Sequence, residues 1–161
     1  MSDEHVSATR VVPATAGAVF ALLTDPRRHA GVDGTGWVGA AVDPAPLTRV
    51  GQVFRMRMVH ADHPDGEYET ANEVLVLEPD RAVAWRTGYH DPEVGGLVFG
   101  GWWWRYDLVP EGADGTRVTL TYDWSAVGPG PREYLDFPMF PTGHLEASLR
   151  HVAAMLEPHP R

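Results

Sequence analysis

Residues 99–125 read FGGWWWRYDLVPEGADGTRVTLTYDWS, and their alternation predicts two β-strands joined by a Gly-rich turn. Successive side chains of a strand point to opposite faces. One face therefore collects the large apolar side chains of both strands, namely Trp102, Trp104, Tyr106, Leu108, Val118, Leu120, Tyr122 and Trp124. The opposite face is mostly polar. An apolar wall of this size needs an apolar cover, which is either a helix or a hydrophobic ligand.

The rest of the chain predicts five further strands and two main helices. The strands are expected near residues 5–12, 37–42, 52–60, 67–77 and 82–87. Thr15 is placed to cap a short helix that ends before Pro26. A long helix from about Thr142 carries apolar residues at intervals of three and four, Leu145, Leu149, Val152 and Leu156. Residues 88–101 are predicted to form a Gly-rich loop. Consecutive strands on short connections favour an antiparallel sheet, so the fold class is α+β.

Composition predicts one domain over residues 1–161. A hydrophobic fraction of 43% and a charged fraction of 22% are typical of soluble globular proteins. The formal charge of −9 argues against binding to nucleic acid or to anionic membrane surfaces. We see no signal peptide and no apolar run near the roughly 20 residues that span a bilayer. The expectation is a cytoplasmic protein without membrane insertion.

The sequence contains neither cysteine nor lysine, and all 13 of its Lys and Arg positions are Arg. This excludes disulfides, thiolate nucleophiles and Cys-ligated metals. It also excludes Schiff-base chemistry on a lysine and the lysine of a Walker-type phosphate site. No GxSxG nucleophile elbow is present. The sequence predicts no cofactor.

Several segments resemble the SRPBCC superfamily (START/Bet v 1-like), and within it the polyketide cyclase/dehydrase-like family. The segments are VFALLTDP at 19–26, RH at 28–29 with DGTG at 33–36, EVLVLEP at 73–79, AW at 84–85, RYDLVP at 105–110 and GTRVTLTYDW at 115–124. They cover nearly the whole chain. The resemblance implies a helix-grip fold: a seven-stranded curved antiparallel sheet wrapped around a long C-terminal helix, with one or two short helices after the first strand.

In such a fold the apolar face of the sheet and the last helix enclose a cavity for a ligand. Twelve residues are assigned to ligand binding, the strand residues among them by alternation and Leu145 and Leu149 by helical spacing: Phe54, Met56, Met58, Trp85, Trp102, Trp104, Tyr106, Tyr122, Trp124, Phe140, Leu145 and Leu149. The connections at 27–36, 60–66, 88–101 and 128–141 are expected at one end of the sheet, where we place the cavity mouth. Arg55, Arg57, Arg86 and Arg105 fall on the opposite face and are expected to form cross-strand charge pairs.

His60 is the main candidate for acid/base chemistry. It ends the strand face of Phe54, Met56 and Met58, and its ordinary pKa suits proton transfer. Tyr68 or Tyr106 is the candidate partner, and the pair His60 with Tyr68 is the preferred one. The alternative is a solvated histidine at the rim.

Three other patterns have structural explanations. GTGWVG at 34–39 matches the dinucleotide pattern GxGxxG, but no strand precedes it and Pro44 and Pro46 forbid the helix that must follow. The polar run HADHPD at 60–65 is explained as a hairpin turn, so no metal site is assigned. Asp33 and Asn72 are either hydrogen-bonding groups of the cavity or structural caps, and the sequence leaves both options open.

Three functions are consistent with this pattern. The first is binding of a hydrophobic small molecule, aromatic, polyketide-like or lipid-like. The second is a cofactor-independent enzyme of the cyclase/dehydratase (lyase-like) type. The third is a protein-interaction module like the chaperone activators of the same superfamily. The chain is expected to be a monomer or a homodimer.

Overall fold

The computed structural model describes residues 4–34, 36–59, 67–133, 135–138, 140 and 143–157. Its strands are β1 (His5–Val12), β2 (Val38–Ala41), β3 (Val53–Val59), β4 (Glu67–Glu78), β5 (Ala82–Asp91), β6 (Gly96–Glu111) and β7 (Gly115–Asp123). Its helices are α1 (Ala16–Leu23), α2 (His29–Val32), α3 (Pro129–Arg132) and α4 (His144–Leu156), with a 3₁₀ turn at Pro26–Arg28.

The seven strands form one antiparallel sheet in the order β1-β7-β6-β5-β4-β3-β2. Every neighbouring pair from β3 to β7 is consecutive in the chain, which confirms the predicted meander. The ends of β3, β5 and β7 therefore lie at one end of the sheet. The tight turns after β4 and β6 lie at the other. The helix-grip α+β architecture predicted from the sequence is confirmed.

Helix α4 packs its apolar side against the sheet, as its spacing predicts. Leu145, Leu149, Val152 and Ala153 are buried in the main core together with residues of β1, β3 and β7. Helix α1 begins as expected, because the Thr15 side chain accepts a hydrogen bond from the backbone N–H of Ala18. The two helices close the concave side of the sheet and leave one region of it to the cavity.

The prediction of a loop at 88–101 is wrong. Strand β5 continues to Asp91 and β6 begins at Gly96, so most of this segment is paired. Its glycines mark an irregularity in the ladder: Gly88 pairs with Phe99 and Arg86 with Trp103, which leaves two extra residues in β6. A bulge of this kind bends a strand and turns the following side chain. Here it places Trp102 over Gly100, where a Cβ would meet the indole at 1.8 Å.

The outer face of the sheet carries the predicted arginines and their acidic partners. Arg86 pairs with Glu73 across β4 and β5 at 2.7 Å, as expected. Arg55 approaches Glu69 at 3.6 Å, but its shorter contact, 2.8 Å, is with Asp43. Arg105 pairs within its own strand with Asp107 at 3.0 Å. Exposed pairs of this type contribute about 0–1 kcal/mol each to stability. Their main consequence is that these charges lie on the outer face and not on the concave face.

Candidate ligand-binding cavity

A cavity of about 240 Å³ lies between the concave face of the sheet, α2 and α4. Its wall is mostly apolar and aromatic, with a few polar groups. The lining residues are Leu23, His29, Val32, Asp33, Trp37, Val38, Phe54, Met56, Met58, Tyr68, Thr70, Asn72, Trp85, Thr87, Trp102, Trp104, Tyr106, Leu120, Tyr122, Phe140, His144 and Ser148. This composition is typical of small-molecule sites in proteins.

Nine of the twelve residues assigned to ligand binding lie on this wall: Phe54, Met56, Met58, Trp85, Trp102, Trp104, Tyr106, Tyr122 and Phe140. Strand register explains why they meet. Trp85 pairs with Trp104, and Trp104 pairs with Tyr122, so consecutive strands present aromatic rings to the same face.

The other three assigned residues lie elsewhere. Leu145 and Leu149 are in the main core, since this part of α4 packs directly on the helices and strands around it. Trp124 follows β7 and packs with Tyr122 and Val127 in a second, smaller cluster. The period of the strand and of the helix gives the direction of these side chains. It does not show whether a side chain packs in the core or borders the cavity.

The two residues assigned to catalysis have different outcomes. His60 lies outside the described residues. Tyr68 lies on the cavity wall opposite Met58 of the neighbouring strand. Burial raises the pKa of the Tyr68 hydroxyl, and the negative charge of Asp33 raises it further. Tyr68 therefore holds its proton at neutral pH, and its catalytic role stays a prediction.

Asp33 and Asn72 each make hydrogen bonds within the protein and also lie on the cavity wall. Asp33 accepts a hydrogen bond from the backbone N–H of Val38 at 3.0 Å, which fixes the start of β2. Asn72 is 5% exposed and donates to the backbone carbonyl of Phe54 while it accepts from the Thr87 hydroxyl at 2.8 Å. Both side chains also line the cavity.

His29 is a cavity residue that no periodicity could have identified, because it lies in a turn-rich segment. Its Nε2 is 2.8 Å from the carbonyl oxygen of Leu23. A carbonyl only accepts, so Nε2 carries the proton and Nδ1 of the neutral ring carries a lone pair. The ring stacks on Trp85 at 5.1 Å and meets the edge of Phe54. Burial lowers the pKa of His29 despite the carbonyl contact.

An aromatic cluster closes the end of the cavity next to α4, and it includes a second missed histidine. The Trp104 ring contacts the rings of Tyr122, Phe140 and His144 at centroid distances of 4.5, 5.5 and 5.5 Å. Tyr122 is 1% and His144 7% exposed. Burial raises the pKa of Tyr122 and lowers that of His144. Both side chains are therefore uncharged at neutral pH.

In the GTGWVG segment, Gly34 packs against α4, whereas Val38 and Gly39 belong to β2. The backbone N–H of Gly34 donates to the Ser148 hydroxyl of α4 at 3.1 Å. Gly34 also lies so close to the first turn of α4 that a Cβ would stand 2.6 Å from the carbonyl oxygen of His144. This contact sets the position of α4 and of the His144 side chain at the cavity.

The two neutral histidines predict how stability depends on pH. An unfolded histidine takes up a proton near pH 6.5. In the folded protein, burial lowers the pKa of His29 and of His144, so each takes up its proton only at a lower pH. The unfolded state therefore binds more protons below that pH. We expect the free energy of unfolding to fall from about pH 7.5 to about pH 5.5, by at most about 1.4 kcal/mol per pH unit for each histidine. Urea unfolding at several pH values measures it.

The control is His29→Gln, which keeps a donor for the Leu23 carbonyl but does not titrate. Its stability should depend less steeply on pH over the same interval. An unchanged slope in this variant would assign the effect to other groups.

The described part of the chain contains neither a metal-binding cluster nor a membrane-spanning helix. No three His, Asp or Glu side chains there come close enough together to hold a metal ion. None of the helices found there is both long and apolar enough to cross a lipid bilayer. Residues 60–65, the polar run that was considered as a metal site in the sequence, lie outside the described residues.

Solved structures share this fold at low sequence identity. A protein of Nitrosomonas europaea, NE0264, has a TM-score of 0.66 at 15% identity over 97% of this chain and 96% of its own. Ms6760 of Mycobacterium smegmatis has a TM-score of 0.64 at 18% identity over 95% and 90%. Norcoclaurine synthase of Thalictrum flavum has a TM-score of 0.63 at 15% identity over 99% of both chains. At these identities the likeness shows the fold alone.

Sequence relatives and a family model place the chain more narrowly. It is 33% identical to Rv0088, an uncharacterized protein of Mycobacterium tuberculosis, over 125 residues, which are 77% of this chain and 49% of the relative. A protein of a second strain, MT0096, matches at 32% over the same share. The chain thus spans about half the length of the curated relatives it matches. The model of the family "Polyketide cyclase / dehydrase and lipid transport" matches residues 3–157. The chain belongs to this family.

Proposed function

We propose that the protein binds a compact, hydrophobic and largely aromatic small molecule in the cavity. The observation that carries the proposal is the cavity itself, enclosed by four aromatic residues of consecutive strands, Trp85, Trp104, Tyr106 and Tyr122. A cavity in a close-packed interior costs stability, because its lining side chains lose contacts. A ligand with apolar faces restores those contacts. The family description, which includes lipid transport, agrees with such a role.

The size and shape of the cavity favour a small ring system over a long acyl chain. About 240 Å³ lies below the range of roughly 300–1,000 Å³ that drug-sized ligands occupy. Flat indole and phenol rings on several sides suit stacking and edge contacts with another aromatic system. The proposed ligand therefore has one to three fused or linked rings.

Native mass spectrometry tests this proposal with a matched pair of variants. The protein is incubated with small-molecule extracts, and the wild type is expected to retain an adduct of defined mass. Thr70→Phe adds a ring inside the cavity and should abolish the adduct. Glu69→Phe adds the same ring on the outer face, where Glu69 contacts Arg55, and should keep it.

A bare mass across extracts in which the variants fold normally would contradict the proposal. It would favour the interaction-module alternative, which pull-down experiments then address.

A second candidate function is acid/base catalysis on the bound molecule, and the geometry of His29 favours it. The Leu23 carbonyl fixes the proton on Nε2, so Nδ1 is free of a proton in the neutral ring. Neutral imidazole in an apolar site is a suitable general base. Tyr68, which holds its proton at neutral pH, is a suitable acid on the same wall. Cyclisation and dehydration both need such a pair near an apolar substrate.

Turnover distinguishes this candidate from simple binding. The recovered ligand is compared with the starting extract by liquid chromatography and mass spectrometry. Catalysis predicts a product whose formation falls at least about 100-fold in His29→Gln and remains in Tyr89→Phe, a change at an exposed position. A ligand recovered unchanged contradicts the catalytic function and leaves binding intact.

A further inference from the structure

Among the described residues, two buried side-chain polar atoms at the α4 end of the cavity have no hydrogen-bond partner. They are the hydroxyl of Tyr122 and Nδ1 of His144, and both atoms are shielded from solvent. Leaving such a group buried and unpaired costs about 1–3 kcal/mol, and native structures contain few of them. Both residues line the cavity, and a ligand there is a natural partner for the Tyr122 hydroxyl, whereas His144 Nδ1 lies beside Gly34.

The rings of the two side chains share two aromatic neighbours, Phe140 and Trp104. The Phe140 ring contacts Tyr122 at 4.9 Å and His144 at 4.7 Å between centroids, and Trp104 contacts all three rings. Because the Tyr122 hydroxyl is not reached by solvent, a ligand bonds to it only if a neighbouring side chain moves. Phe140, which contacts both rings, is the neighbour whose place we expect a ligand ring to take.

Charge restricts the kind of polar group that fits. Asp33 is the one Asp, Glu or Arg among the described residues of the cavity wall. Arg55, Arg86 and Arg105 of the sheet have their acidic partners on the outer face. A carboxylate in the cavity therefore meets no cation from these residues and is repelled by Asp33. An uncharged oxygen group avoids both costs.

From these observations, and resting on the proposed function, we infer that the ligand carries an uncharged hydroxyl or carbonyl oxygen on its ring system. The Tyr122 hydroxyl donates a hydrogen bond to this oxygen. The preferred ligand class is neutral phenols and aryl ketones. Unsubstituted arenes and aromatic carboxylates bind less tightly.

Isothermal titration calorimetry with naphthalene, 2-naphthol and 2-naphthoate tests this inference. The wild type is expected to bind 2-naphthol about tenfold more tightly than naphthalene, the ratio that one well-made hydrogen bond produces. It should bind 2-naphthoate at least about tenfold less tightly than 2-naphthol. Without a polar partner in the cavity, naphthalene binds more tightly than 2-naphthol, because the hydroxyl loses its hydration and gains no hydrogen bond.

Tyr122→Phe is the decisive variant, and Tyr89→Phe is its matched control at an exposed position. Tyr122→Phe should bind naphthalene within about twofold of the wild type but lose the preference for 2-naphthol. Its melting temperature should not fall, because the change removes an unpaired buried hydroxyl. A tyrosine with only a structural role would instead reduce stability and leave the preference unchanged.

Equal affinities for naphthalene and 2-naphthol in the wild type, or a preference that persists in Tyr122→Phe, would overturn the inference and leave the proposed function standing. A wild type that binds neither compound contradicts the proposed function itself.

Discussion

Trp104→Ala should reduce the free energy of unfolding by about 3 kcal/mol, the low end of the range for a buried aromatic residue. The low end applies because part of the ring faces the cavity and is only half-buried. The change removes the ring that connects Tyr122, Phe140 and His144. Ligand affinity should fall at least about tenfold, since one face of the binding surface is lost. Urea unfolding and calorimetry measure the two effects separately.

Trp103→Ala is the matched control for this experiment. The two tryptophans are adjacent, but Trp103 pairs with Arg86 and Asp123 on the outer face and is absent from the cavity wall. Its replacement removes a half-buried ring from the outer face, so it should reduce stability but leave ligand affinity unchanged. Equal losses of affinity in the two variants would show that the tryptophans act through the fold and not through the cavity.

Gly34→Ala should destabilise the protein by about 2–3 kcal/mol, although it adds a single methyl group. The new Cβ would stand 2.6 Å from the carbonyl oxygen and 2.8 Å from Nδ1 of His144, and 2.9 Å from Cβ of Ala147. The carbonyl belongs to the helix backbone and cannot rotate away. Either the loop or α4 must shift, and the hydrogen bond from Gly34 to Ser148 lengthens. Thermal unfolding measures the loss of stability.

Gly96→Ala provides the comparison, because a Cβ at Gly96 meets nothing within 4 Å. This variant should be neutral or slightly stabilising, since alanine lowers the entropy of the unfolded chain. If both variants were equally stable, the loop would not be packed against α4 as the structure has it. Ligand affinity should fall in Gly34→Ala alone, since His144 moves with the helix.

The sequence predicted the sheet well because its strands are amphipathic over their whole length. Period-two alternation assigned Met56 and Trp104 to one face and Arg55 and Arg105 to the other, and the structure agrees. The capping of α1 by Thr15 was predictable for a similar reason, since it depends on residues close together in the chain. Local rules were sufficient wherever the determining contacts are local.

The errors arose where a residue acts over a long distance in the chain. The glycines near Gly88 indicated a loop, but they allow a close approach of two paired strands, which the sequence does not distinguish from a turn. Trp124 and Leu145 were assigned to the cavity because the period of a strand or helix gives the direction of a side chain and not its depth. His29 and His144 were missed because their surroundings come from separate segments, Trp85 for the first and Trp104 for the second.

The stacking of His29 on Trp85 gives the protein an internal optical indicator. The rings lie 5.1 Å apart and are inclined by only 19°. An imidazolium at this distance quenches the excited state of an indole, whereas a neutral imidazole does so weakly. Tryptophan emission should therefore decrease in acid as His29 takes up its proton, below the ordinary histidine pKa. His29→Gln should remove the part of this decrease that comes from Trp85, whereas the contact of His144 with Trp104 remains. Emission intensity then reports the charge inside the cavity without any added dye.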